Sequence, residues 1–294
     1  MRVFVTGASG WVGSAVVPEL LAAGHQVLGL ARSDASEAAL RAAGAEAVRG
    51  ELGDPDTLAA AAKGCDGVIH LAFIHDFSDF QGAIDADRTA IQALGGALQG
   101  SGKPLVVTSG TPAVPGRVAT ELDSAAPDTP AAGRDANARV ALDFAARGVR
   151  PSVVRLPRSV HGAGDEHGFV ARLIGLARER GTSGYVGDGG SRWPAVHVKD
   201  AAVLFRLALE KATAGSVLQA VGDEGVPTGD IAAAIGRHLN VPTAALPPED
   251  FGFLGPLLAT DQPASATLTR QTLGWAPVRP GLIADLDEGH YFGT

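Results

Sequence analysis

The sequence predicts a doubly wound, parallel α/β sheet followed by a smaller, mainly helical lobe. Three observations carry that expectation. Short apolar runs alternate with Ala-rich helical patterns over the first 160 residues. Several runs are apolar almost throughout, as strands covered on both faces are. The first run empties directly into a turn with glycines at positions 7, 10 and 13. Strand alternating with helix implies parallel pairing through right-handed crossovers.

In chain order, strands are expected at Arg2–Thr6, Gln26–Ala31, Ala47–Arg49, Gly67–Leu71, Leu105–Ser109 and Ser152–Arg155. Helical patterns fill the gaps at Val12–Ala23, Ser36–Ala43, Pro55–Lys63, Phe80–Gln99 and Arg134–Arg147. Asp34 and Ser36 are N-cap residue types, and Gly24, Gly44, Gly64 and Gly148 fall where helices end. After His161 helices dominate, at Phe169–Arg180, Asp200–Lys211 and Thr228–Leu239, with short strands near Tyr185 and over Ser216–Val221. The expected division is a sheet domain over residues 1–160 and a substrate lobe over 161–294, with 197–221 returning to the sheet. In such sheets the ligand crevice lies at the C-terminal strand ends.

A chain of 294 residues, 46% hydrophobic, can bury a sizeable core. Its net charge of −8 speaks against a nucleic-acid partner. No apolar run approaches the roughly 20 residues that span a bilayer, so no membrane partner is expected. The N-terminus is a strand without a charged leader, and Cys65 is the single cysteine. A cytoplasmic protein with a small-molecule substrate is the expectation. The histidines lack metal-ligand spacing, and no metal is expected.

The turn "TGASGWVG" has a physical purpose if it meets a dinucleotide. Gly7 supplies backbone freedom, Gly10 admits a pyrophosphate, and Gly13 lets helix pack on strand. The helix N-terminus offers free N–H groups and partial positive charge. Thr6, Ser9, Trp11 and Val12 complete the cradle, and the fold is expected to be Rossmann-type. The second strand ends without the acid that holds a ribose 2′-OH. Arg32 and Ser33 stand there and suit a 2′-phosphate, so NADP is the expected cofactor, NADPH being preferred over NADH. Asp34 is the alternative ribose ligand.

This spacing resembles the short-chain dehydrogenase/reductase superfamily, in its extended (epimerase/dehydratase-like) and atypical branches. The likeness covers most of the chain. "GVIHLA" resembles the fourth strand that ends at the cofactor ribose, which implies Leu71, Ala72 and Phe73 as contacts. "LVVTSG" resembles the fifth strand and implies Ser109 as the active-site serine, with Thr111 beyond it. "VVRLPRSVHGAGD" resembles the sixth-strand segment and implies Pro157 and Ser159 at the cofactor. "VHVKDAAVLFRLALE" resembles a later strand-to-helix segment, and "RGELGD" an adenine pocket lined by Glu51 and Leu52. The superfamily's helices often pair across dimers, and a homodimer through 80–99 and 134–147 fits that habit.

The superfamily's usual chemistry uses Tyr-x-x-x-Lys between the fifth and sixth strands. The tyrosines here are Tyr185 and Tyr291, and the lysines are Lys63, Lys103, Lys199 and Lys211. The window from Ser109 to Ser152 therefore holds neither. By position Arg134 takes the lysine's place and Pro130 the tyrosine's. The atypical His-x-x-x-Arg pattern is matched only in its arginine, and Asp135 with Arg139 is the alternative frame. Arg134 can bind a ribose or an anion but cannot donate a proton. The acid candidates are His75, which follows the fourth strand, and His161. Asp76 can orient His75 or meet a cationic imine. Trp193 is expected to line the substrate pocket or to be structural, and His70 to be a core histidine bonded to backbone.

The resulting expectation is an NADPH-dependent reductase of a carbonyl or imine in a small, largely apolar substrate. Ser109, His75 and Arg134 form its catalytic set, and Asp76, Thr111, His161 and Trp193 its substrate set. A non-catalytic NADP sensor and a sugar-nucleotide epimerase are the alternatives.

Overall fold

The structure is a computed structural model and describes residues 1–75, 79–127, 129 and 131–293. The first half alternates β1 (Arg2–Thr6), α1 (Trp11–Ala22), β2 (Gln26–Ala31), α2 (Asp34–Ala42), β3 (Glu46–Arg49), α3 (Pro55–Lys63), β4 (Gly67–His70), α4 (Phe80–Ala97), β5 (Pro104–Gly110), α5 (Ala132–Asp143) and β6 (Arg150–Leu156). It continues through β7 (Ser159–His161), α6 (Phe169–Arg180), β8 (Ser183–Tyr185), β9 (Arg192–His197), α7 (Val198–Lys211) and β10 (Ser216–Gln219). The chain closes with β11 (Asp223–Pro227), α8 (Thr228–Leu239), β12 (Thr243–Ala245), α9 (Gly255–Leu258), α10 (Thr267–Leu273) and α11 (Leu282–Asp287).

Seven parallel strands form the main sheet in the order β10-β6-β5-β4-β1-β2-β3. The order reverses between β1 and β4, so the strand ends part there and leave the crevice expected of a doubly wound sheet. Both faces are covered, which explains the nearly continuous apolar strands. Val16 and Leu20 of α1 pack with Leu204 and Phe205 of α7 on one face. Leu58 of α3 and Ile91 and Leu94 of α4 pack with Phe144 on the other.

Local chemistry sets the element ends. Asp54 caps α3, accepting from Thr57 N at 3.1 Å, and Pro55 occupies the first turn. The cap of α2 is Ser33, one residue before the expected Asp34, with Ser36 returning the bond to form a capping box.

The later elements build a second layer. β9 pairs parallel with β7 and antiparallel with β11, and β8 pairs with β12. Of the stretch expected to return to the main sheet, β10 does so, pairing Ser216 with Ser152. His197 ends β9 in the small sheet instead. Among the described residues no helix is long and apolar enough to cross a membrane.

Asp200, at the start of α7, joins the layers. Its buried carboxylate accepts from the backbone N–H of Val278 and Arg279 at 3.1 and 2.9 Å. Its carbonyl accepts from Trp275 Nε1 at 3.0 Å. Asp200→Ala leaves two amides without an acceptor and is expected to lower unfolding free energy by about 1–3 kcal/mol, read from the urea midpoint at unchanged slope.

Candidate active site

The glycine turn lies at the switch between β1 and β4. Gly7 has φ +66°, and a Cβ there would stand 2.7 Å from Ala72 N. Turn and β4 exit thus meet backbone to backbone. A Cβ on Gly13 would fall 2.2 Å from the Gly7 carbonyl oxygen, so only glycine lets α1 start this close. Gly10 differs: its φ is an ordinary −80°, and a Cβ there meets only Gly7 O at 3.2 Å, with open space beyond. α1 has no side-chain cap and no acid in its first turn. Its first amides therefore lack a side-chain acceptor and suit an anion, whereas Thr6, expected in the cradle, is fully buried with its hydroxyl bonded to Ala72 N and His70. Trp11 Nε1 donates to Val160 O at 2.8 Å and ties the turn to the segment after β6.

At the tip of β2, Arg32 is exposed and makes no ion pair with a described residue. Asp34, the alternative ribose ligand, is held by Arg49 at 3.1 Å. Ser33 spends its hydroxyl on the helix cap. Glu51 and Leu52 follow β3, beside the β2 tip, where Gly50 N donates to Ala31 O at 3.2 Å.

Behind the crevice runs a buried polar chain. Thr6 Oγ1 accepts from Ala72 N at 3.2 Å and lies 2.7 Å from His70 Nδ1. With that amide already on its oxygen, the threonine hydroxyl donates to Nδ1, so the imidazole proton sits on Nε2 and goes to Asp87 Oδ1 at 3.2 Å. Asn137 Nδ2 donates to the other Asp87 oxygen at 2.7 Å and to Ile84 O at 2.8 Å. Burial pushes the Asp87 carboxyl up, but His70, Arg134 and Asn137 together hold it below its ordinary value. His70 is thus a core histidine, as expected, but its ring partners are side chains rather than backbone.

This chain sets the helix that presents Arg134. Arg134 donates to Thr108 O at 2.7 Å, and its guanidinium lies 3.9 Å from the centre of the Phe73 ring. Burial lowers its pKa against the pull of Asp87. Phe73 meets His75 edge-on at 5.5 Å. Burial and the Arg134 charge both depress the His75 pKa. Ser109, 5% exposed, is the residue after Thr108, and its hydroxyl bonds no described residue. Phe73 and His75, just after β4, thus meet Arg134 of α5, which holds the β5 carbonyl one residue before Ser109. The alternative frame is used elsewhere: Asp135 is buried between Arg139, at 2.7 Å, and Arg155, at 3.1 Å. Asp76 and Pro130 lie outside the described residues.

Beyond β6, Pro157 and Ser159 are buried, and Ser159 Oγ has no partner among the described residues. Arg158, between them, donates from Nε to Gln262 Oε1, and Gln262 Nε2 donates to Thr111 O. The Arg158 guanidinium faces the Trp193 ring at 5.8 Å. Burial pulls it down to about 10. Trp193 is fully buried, with Nε1 donating to Leu257 O at 3.2 Å, and presents no surface of its own to a ligand.

His161 is the sequence candidate that the structure sets apart. It is 1% exposed, with Nδ1 2.9 Å from Asp285, and offers no surface to a substrate. Its Nε2 is buried without a partner. Asp285 also faces His197 at 3.9 Å and His290 at 3.6 Å. Asp285, Glu288 and His290 bring ligand atoms within 4.8 Å of one another.

Sequence reasoning missed Arg158, Gln262, Asp87 and Asp285. An acid on the apolar stripe of Ile84, Ile91 and Leu94 was a readable signal for Asp87. Gln262 and Asp285 are brought in from more than 100 residues away and left no local signal.

The profile of the NAD dependent epimerase/dehydratase family matches residues 3–221. An uncharacterized protein of Schizosaccharomyces pombe, C2A9.02, is 48% identical, covering 99% of this chain and 100% of that one. A 2-alkyl-3-oxoalkanoate reductase of Stenotrophomonas maltophilia is 30% identical over 74% of this chain and 67% of its own. The structure of MoeE5 in complex with UDP-glucose and NAD superposes with TM-score 0.78 at 25% identity, covering 98% and 96% of the two chains.

The space at Gly10 gives a direct test of the cradle. Gly10→Val is expected to abolish NADPH binding in calorimetry while the far-ultraviolet circular dichroism and the melting midpoint stay near those of the parent.

Proposed function

We propose that this chain, which belongs to the NAD dependent epimerase/dehydratase family, is an NADPH-preferring reductase of a carbonyl group, or an imine, in a small molecule. The observation that carries this reading is that Arg134 holds the end of β5 one residue before Ser109 and faces Phe73, which in turn meets His75, while Gly7 abuts the Ala72 backbone beside them. A nicotinamide dinucleotide held by that turn would supply the hydride, so that the acceptor carbonyl gains hydride at carbon and a proton at oxygen and leaves as an alcohol. Ser109 has an uncommitted hydroxyl to donate to the developing oxyanion. Arg134 adds positive charge close by, and its bond to Thr108 O keeps the end of β5 in place. His75 is the proton donor in this reading. The reductase relative from Stenotrophomonas supports carbonyl reduction over epimerisation. The sensor alternative is favoured by α5, whose sequence contains neither tyrosine nor lysine, and NADPH consumption on a panel of ketones, aldehydes and cyclic imines decides between the two.

Cofactor choice rests on Arg32. The parent is expected to bind NADPH at least about tenfold more tightly than NADH, and Arg32→Ala to remove that preference, because a charge-assisted contact contributes about 1.5–3 kcal/mol. Equal parent affinities in calorimetry overturn the assignment.

The proton donor has its own signature. His75→Ala is expected to lower turnover by about 10²–10⁴ with little change in NADPH affinity. In the parent, rate falls as pH rises through the His75 pKa, since reduction needs the protonated ring. Burial and Arg134 place that midpoint below the ordinary histidine value. Arg134→Met removes the repulsion, favours the protonated ring and moves the midpoint to higher pH. A pH profile identical in parent and His75→Ala assigns the proton to another group.

A further inference from the structure

Arg158 is a cation whose opposite charge is missing from the described protein. Several arginines of the fold are matched, Arg192 by Asp261 at 2.8 Å, Arg155 by Asp135 at 3.1 Å and Arg206 by Glu19 at 2.7 Å, whereas Arg32 and Arg134 share with Arg158 the lack of a carboxylate partner among the described residues. Arg150 spends both terminal nitrogens on the carbonyls of Ala212 and Leu209 at the end of α7. Arg158 has no ion pair with a described residue, and only its Nε is committed, to Gln262. Its two terminal nitrogens make no hydrogen bond with a described residue. They are also not among the sealed, unpartnered atoms, so they stay open to solvent. The side chain is partly buried along the Trp193 ring.

Its aim is fixed by two contacts. Gln262 holds Nε and is itself anchored to the carbonyl and, at 3.3 Å, the hydroxyl of Thr111. Thr111 lies two residues beyond Ser109, and its amide continues the β5–β6 pairing to Leu156 O at 3.0 Å. The guanidinium is therefore tethered to the strand end that carries the active-site hydroxyl. A planar, pre-oriented guanidinium whose two terminal nitrogens form one free N–H edge matches a carboxylate in shape and charge. A partly desolvated cation without a counter-ion is unfavourable until an anion arrives.

We infer that Arg158 binds a carboxylate on the substrate and presents the substrate's carbonyl to Ser109, so that the substrate class is a small oxo acid reduced to the hydroxy acid. The carbonyl half of this statement rests on the reductase reading, whereas the carboxylate half stands on Arg158 and Gln262 alone. The ring of Phe169, 6.1 Å from Trp193, gives the wall beside the carboxylate an apolar face for the remainder of the molecule.

The test separates the two halves. The NADP⁺-loaded protein is titrated with hexanoate and with hexanamide, followed by tryptophan fluorescence. Hexanoate is expected to bind at least about tenfold more tightly. Arg158→Gln should erase that difference, Arg158→Lys should restore part of it, and NADPH affinity should hold in both. Equal binding of the two probes by the parent, or a preference that survives Arg158→Gln, overturns the assignment. Loss of NADPH affinity in Arg158→Gln overturns it too, by giving the arginine to a cofactor phosphate. In turnover, the KM for 5-oxohexanoate should rise about tenfold or more in Arg158→Gln while that for its methyl ester stays put. If neither compound, nor any other carbonyl or imine, consumes NADPH, the reductase reading fails, and the hexanoate titration still decides the role of Arg158.

Discussion

A buried carboxylate, Asp87, holds the working half of the molecule in register. It is 1% exposed, on a helix face otherwise packed against the sheet. A charge there is tolerable only because its donors come from fixed elements: His70 at the end of β4 and Asn137 in α5. Thr6, at the end of β1, fixes the His70 tautomer, and Arg88 donates from Nε to the Asn137 side-chain oxygen at 3.1 Å. Removing one partner of such a pair costs about 3–5 kcal/mol, more than a helix cap contributes. The two strands that flank the switch point and the two helices behind it are thereby locked together. Arg134 sits three residues before Asn137, about one helical turn away, so the rotation that satisfies Asn137 also turns Arg134 toward β5.

The crevice rim is cationic although the chain as a whole carries −8. Arg32 lies at one end, Arg134 and Arg158 at the other, and none forms an ion pair with a described carboxylate. Elsewhere acids sit beside arginines, as Asp261 does beside Arg192 and Asp123 beside Arg117. The burial of Arg134 and Arg158 depresses both pKa values, yet an arginine so shifted remains protonated at neutral pH. A site built this way holds positive charge through a wide pH range, and His75 is the titratable group beside it, its charged form disfavoured by burial and by Arg134.

Much of this was legible in the chain because it is local. Strand and helix periods, the glycine spacing and the strand-end positions of Ser109 and His75 are short-range patterns, and β1, β2, α3, α6 and α8 fall on their expected bounds. Arg134 was found through resemblance and a count back from β6, and its contacts with Thr108 and Phe73 separate it from the Asp135/Arg139 frame. The hidden part is long-range. Nothing near His161 in sequence says that Asp285, 124 residues on, will take its Nδ1 and remove it from the crevice. Likewise nothing near Arg158 in sequence points to Gln262, 104 residues on, which holds its Nε.

Asp285 repeats, in the second layer, the device of a buried acid with histidine, but less completely. His161 Nδ1 is bonded to it, which leaves Nε2 of that ring an acceptor with no donor among the described residues. His197 accepts the Lys199 amide at Nδ1, at 3.1 Å, so its proton sits on Nε2 and points at Asp285 across 3.9 Å. A protonated Nε2 is no lone pair for a metal, which removes His197 as a ligand there and leaves it as a weak donor. Burial lowers its pKa against the pull of Asp285 and so disfavours the charged form that would offset the carboxylate. In the Asp87 chain each polar atom of the imidazole is matched, whereas here two ring nitrogens, Nε2 of His161 and Nε2 of His290, have no hydrogen-bond partner among the described residues. A partly satisfied buried network stabilises less than a complete one. The tail from Leu282 to Tyr291 therefore relies on further ties beside Asp285: Leu282 N donates to Asp223 at 2.8 Å, Tyr291 Oη donates to Asp165 at 3.1 Å, and Asp287 pairs with Arg237 at 2.9 Å.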